Sequence, residues 1–167
     1  LRENPDLAQD TISVLFFPYE NLGRVQQMFS DLNRYVVKTP TALNILFDKR
    51  DTLAQVVLAA IEKVPVFQGL TDKERVSLSP KSTALFTLVS LYDATSEFLA
   101  RQVAPDAPPV LYADQLESVT EFWNFISSQI SDWTEVKEGR KTAADLRRDT
   151  ISAHSVVLRA LGSIGGE

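Results

Sequence analysis

From Asp114 to Trp133 the chain places Leu116, Val119, Trp123, Ile126, Ile130 and Trp133 at steps of three and four. Only a helix gathers residues so spaced onto one face. A face with two tryptophans must be covered, so the chain needs other amphipathic helices to pack against it. It has them. Leu53, Val56, Val57, Ala60 and Ile61 share a face over Thr52–Val64. Leu85, Leu88, Tyr92, Thr95 and Leu99 share another, widened by Phe86 and Val89. That helix is expected to open at Ser79-Pro80 and run to about Arg101, because serine caps free amides and proline suits the first helical position. Thr142 and Asp145 form a capping-box variant. It opens a last helix carrying Leu146, Ile151, Ala153, Val157, Leu158 and Leu161, and Gly162 suits its end. The expected fold class is mainly α, with a bundle-like C-terminal region.

The front of the chain differs. Thr11–Phe17, TISVLFF, is β-branched and aromatic, is stopped by Pro18, and reads as a buried strand. A lone strand is not stable and needs sheet partners. Glu20–Val36 follows as a helix with Val25, Met28, Phe29, Leu32 and Val36 inward. The opening LRENPDLAQD begins on Leu and reads as the middle of a longer protein. Pro40 marks a break. Ala42–Phe47 is apolar but too short to assign to helix or strand. Pro65–Ser79 reads as a connector with an extended piece at Glu74–Leu78. Val103–Tyr112, with three prolines, and Glu135–Lys141, with Gly139, read as loops.

Several chemistries are excluded. The 167 residues contain no cysteine, which removes disulfides, thiol nucleophiles and cysteine zinc sites. His154 is the single histidine and reads as a packed helix residue; no metal site is expected. Neither G-x-x-x-x-G-K-[ST], G-x-G-x-x-G nor G-x-S-x-G occurs. The apolar runs are far short of the ~20 residues of a membrane span, so no membrane partner is expected. A net charge of −5 argues against a generic nucleic-acid coat but leaves room for a local basic patch.

Two basic groups stand out. Lys137, Arg140, Lys141, Arg147 and Arg148 are diluted by Glu135, Glu138, Asp145 and Asp149, and read as solvated surface. Arg24, Arg34, Lys38, Lys49 and Arg50 are less diluted and suit phosphate contact. Asp48 and Asp51 bracket Lys49 and Arg50, so local neutralisation is their simplest role. A metal or base role would require them to converge with other carboxylates. The aromatics lie mostly at core spacing and do not read as base-stacking platforms.

Over QQMFSDLNRYVVKTPTALNILFDKRD the chain resembles the DndB family, the DNA phosphorothioation-associated proteins of the DGQHR group. Members carry a DGQHR motif, a strand, and then a Gln-x-Phe-x-Asp-x-Asn helix, matched here by Gln27, Phe29, Asp31 and Asn33. LNILFDKRD (Leu43–Asp51), Phe67–Leu88 and HSVVLRALG (His154–Gly162) extend the likeness over nearly the whole chain. DGQHR itself does not occur here. The resemblance implies that residues 1–38 are the end of a ParB-like α/β region and that 39–167 form a helical domain. Gln27, Asp31 and Asn33 would hold the junction between them. It further implies a cytoplasmic, nucleoid-associated repressor that binds double-stranded DNA at the promoter of its own phosphorothioate modification cluster. Arg24, Arg34, Lys38, Lys49 and Arg50 would touch phosphates. The family is also associated with ATP, although no nucleotide motif here supports that independently. Two alternatives stay open. One is an ATPase or nuclease-like enzyme of the same pathway, with Asp31, Asp48 and Asp51 as metal or base groups. The other is an interaction module that uses the Leu116–Trp133 seam, for example as a homo-oligomer.

Overall fold

The computed structural model describes residues 16, 21–26, 28, 40–102 and 112–166. Contacts divide the chain into two compact units, Leu1–Lys38 and Thr39–Glu167. In the first unit, residues 22–26 are helical, and the Asn21 side chain accepts a hydrogen bond from the Arg24 amide at 2.8 Å. Val25, expected inward, is exposed, and Met28 is half-buried. Phe16, expected in the buried strand, is not in a strand and is 88% exposed. The rest of the expected strand and helix, with Gln27, Asp31, Asn33 and Arg34, lies outside the described residues, as does Lys38.

The second unit is helical, as its periodicity requires. Its elements are α1 (Thr41–Phe47), α2 (Thr52–Lys63), β1 (Thr71–Asp72), β2 (Phe86–Thr87), α3 (Leu88–Gln102), α4 (Tyr112–Gln129), α5 (Ser131–Lys137), α6 (Ala143–Asp149) and α7 (Ser155–Gly165). The short apolar segment over Ala42–Phe47 is therefore helix, with Ala42 and Ile45 buried. β1 and β2 pair in parallel, Thr71 opposite Phe86 and Asp72 opposite Thr87.

The core is organised on aromatic rings. Phe67, in the turn after α2, meets Phe86 edge-on at 5.1 Å and Trp123 at 5.3 Å. Phe86 meets Trp133 at 5.0 Å, and Phe122 stacks on Phe98 at 4.2 Å. Both indoles are buried with their N–H groups satisfied: Trp123 donates to Thr95 Oγ1 at 3.1 Å and Trp133 to Ser152 Oγ at 3.3 Å. Edge-to-face pairs of this kind add ~0.5–1.5 kcal/mol each beyond burial. The last helix, α7, lies against α3 so closely that a Cβ on Gly162 would overlap the Ala94 carbonyl. One on Gly165 would overlap the Phe122 ring.

Four expectations are corrected. α3 begins at Leu88, not at Ser79-Pro80. Thr87 and Ser90 form its start instead: Thr87 Oγ1 accepts from the Ser90 amide at 3.1 Å, and Ser90 Oγ accepts from the Thr87 amide at 3.2 Å. Residues 79–84 lie outside the helix, and Arg147 donates to the carbonyls of Ser79, Pro80, Ser82 and Ala84. The extended piece is not Glu74–Leu78 but the two residues of β1. The Asp114–Trp133 helix breaks at Ile130, which has φ −110° and ψ 85° and starts α5. Just before it, the Ser127 and Ser128 hydroxyls donate back to the carbonyls of Trp123 and Phe125 at 2.6 Å, a pattern that weakens a helix. The break turns Trp133 onto Phe86. Finally, the last helix is two, α6 and α7, so Ile151 is exposed. His154 is then the exposed residue before α7, with a ring nitrogen 3.3 Å from the Arg147 carbonyl. The Thr142–Asp145 box forms as expected, with the Asp145 amide donating to Thr142 Oγ1 at 3.0 Å.

Candidate nucleic-acid interface

Lys49 and Arg50 sit on the exposed turn between α1 and α2. The turn forms because both helices have strong local boundaries there. The Asp48 amide closes α1 onto the Asn44 carbonyl at 2.9 Å, and Asp51 caps α2 by accepting from the Ala54 amide at 3.0 Å. Between them, Asp48 Oδ1 accepts from the Arg50 amide at 3.0 Å, and the Gln55 side chain donates to the Lys49 carbonyl. The backbone carrying both cations is thus pinned at four points.

The two carboxylates that bracket the cations do different things. Asp51 turns inward: its second oxygen accepts from the Tyr92 hydroxyl of α3 at 2.7 Å. Burial first, and then this bond, push the Tyr92 phenol up to about 12, so it stays a donor throughout the neutral range. Asp48 stays near Arg50, whose amide above all holds its carboxyl below the usual carboxylate range. The side-chain ion pair is loose, 3.4 Å to Nε, with the Arg50 side chain 93% exposed. A pair this exposed is screened by solvent and leaves the guanidinium available. Asp51 directs its two oxygens to the Ala54 amide and the Tyr92 hydroxyl, so among the described residues the ion pair to the turn's cations is the one between Asp48 and Arg50. Sequence spacing alone suggests local neutralisation by both carboxylates.

An open depression of ≈ 670 Å³ adjoins the turn, lined by Leu43, Asn44, Phe47, Asp48, Lys49 and Arg50. Phe47 ends α1 and is 71% exposed. Its short apolar segment did not mark it as a surface residue, and no sequence signal ties Tyr92 to Asp51 across 41 positions. The Asp51-Thr-Leu-Ala54 capping pattern, by contrast, could be read directly. Arg24 lies in the other unit and is exposed.

The second basic group is used otherwise. Arg147 clamps the 79–84 loop, and Lys137 donates to the Gln68 carbonyl at 2.6 Å. Lys141 pairs with Asp132 at 3.2 Å, and Arg140 pairs with Glu138. Arg148 lies between Asp145 and Asp149, 3.0 and 2.9 Å away. Among the described residues, no group of three or more His, Asp or Glu side chains is placed to hold a metal ion. None of the described helices is long and apolar enough to cross a membrane.

A family model described as "DndB: DNA-sulfur modification-associated" matches residues 1–167, the whole chain. No curated protein matches the chain, and no solved structure does.

Proposed function

The chain belongs to the DndB family of DNA-sulfur modification-associated proteins, and on that premise we propose that it is a DNA-binding repressor of a phosphorothioate modification gene cluster. Lys49 and Arg50 grip backbone phosphates of its own promoter region. The observation that supports this reading is the asymmetry of the turn: Asp51 is bound to Ala54 and Tyr92, while Lys49 and Arg50 face solvent on a pinned backbone. A fixed pair of cations positions a protein on the duplex; base contacts supply sequence choice. Because Asp51 has both oxygens engaged in holding the fold, the same geometry disfavours it as a metal or base group.

The test is an electrophoretic shift titration of the cluster's own promoter at several salt concentrations. Changing Lys49 and Arg50 together to Ala should weaken binding at low salt and reduce the slope of log K against log salt by about 1.8, the loss of two phosphate contacts. A titration identical to that of the unaltered protein, in affinity and slope, would remove both residues from the interface.

A further inference from the structure

The pinned turn carries more than charge. Phe47 leaves 71% of its surface in water, immediately beside the two cations and in the depression that they line. Leaving an aromatic ring of this size exposed forgoes a burial term of kilocalorie scale. α1 gains nothing from it, because Ala42 and Ile45 supply its buried face. Phe125 of α4 is exposed to a similar degree, at 63%. On its own helix, however, it has Glu121 one turn before and Gln129 one turn after, with no cation alongside. Phe47 is therefore distinguished by its neighbours: an apolar flat ring, Asn44 one turn earlier on the same helix, and Lys49 and Arg50 directly following. A protein partner would meet two exposed cations at the edge of any apolar contact. A membrane surface would need a longer apolar stripe than one ring. A ligand that combines negative charge with flat apolar faces fits both halves of the site. DNA with an unstacked base is such a ligand, since every base has a π-face and a phosphate close to it.

We propose that Phe47 stacks on, or wedges beside, a base unstacked from the duplex while Lys49 and Arg50 hold the adjoining phosphates. The inference rests on the DNA-binding reading of the same turn. It makes the site one that opens a base step, with preference for flexible pyrimidine–purine steps, which unstack at least cost.

The test uses promoter duplexes that carry 2-aminopurine at successive positions, with the chain intact except for Phe47→Ala, Phe47→Trp, or the double change of Lys49 and Arg50 to Ala. The unaltered protein should raise 2-aminopurine emission at one step. F47A should abolish that rise and weaken binding about tenfold. Its salt slope should stay unchanged, because no charge is lost. F47W should keep the affinity, and its added indole should be quenched on binding. If F47A leaves both emission and affinity intact while the double cation variant weakens binding, Phe47 has no such role and the phosphate assignment stands. If the unaltered protein binds no duplex, both assignments fall. Circular dichroism of each variant separates these results from misfolding, to which an exposed ring contributes little.

Discussion

Lys49-Arg50 and Arg147-Arg148 are both adjacent cation pairs flanked by aspartates, and the fold puts them to opposite uses. The first pair rides on a turn whose carboxylate, Asp51, is drawn away to cap α2 and meet Tyr92. The second ends α6, where Arg147 reaches inward to four carbonyls of the 79–84 loop and Arg148 lies between Asp145 and Asp149. Charge content is nearly the same in both places. The difference is where the neighbouring acceptors point. A loop of free carbonyls beside Arg147 consumes its donors, and burial pushes its basicity down. Among the described residues nothing comparable captures Lys49 and Arg50, apart from the loose contact of Arg50 with Asp48.

The contrast can be broken most severely at Arg147. Changing it to Ala leaves the loop carbonyls without their partner and should lower unfolding free energy by about 2 kcal/mol, read as a shifted urea midpoint with an unchanged slope. DNA affinity per folded molecule should not move. Tyr92→Phe comes next. It deletes the bond to Asp51 and should cost about 1 kcal/mol. It should also loosen the turn, seen as faster amide hydrogen exchange at Ala54 and Arg50. The same change has a pH signature. The phenol is raised to about 12 in the fold against about 10 in an unfolded chain, so its contribution is fully present below pH 10. It is lost as pH rises to 12. The unaltered protein should therefore lose stability over that window, and Y92F should lose less. Smallest of all should be the effects of surface cations: Arg148→Ala, and the Lys49/Arg50 double change, should each leave the urea midpoint almost unchanged. A large stability loss from the double change would mean that this pair, too, is a structural clamp.

What the sequence made readable follows the range of the interactions involved. The helix over Thr52–Lys63 and the Thr142–Asp145 cap depend on residues three or four apart, and both form where periodicity and capping rules place them. The mainly helical class follows from the same signals. The errors lie where a distant group decides. Ser79-Pro80 has the chemistry of a helix start, yet its carbonyls are taken by Arg147 from 67 or 68 positions away. The break at Ile130 turns Trp133 toward Phe86, which no local pattern encodes. At the candidate interface the same division holds. Lys49 and Arg50 stand out in composition, and the Asp51 cap is a local pattern. The withdrawal of Asp51 depends on Tyr92, and the exposure of Phe47 depends on which face of a seven-residue helix is covered.

The contact of Gly162 with the Ala94 carbonyl acts as a steric gauge between α7 and α3. Most positions in a core accept a range of side chains and penalise them gradually with size. Here the first carbon added already collides with backbone, which cannot swing aside as a side chain can. A complete substitution series at 162 should therefore be nearly flat, with alanine almost as damaging as leucine. The same series at Leu158, one turn earlier and fully buried, should grade smoothly with volume.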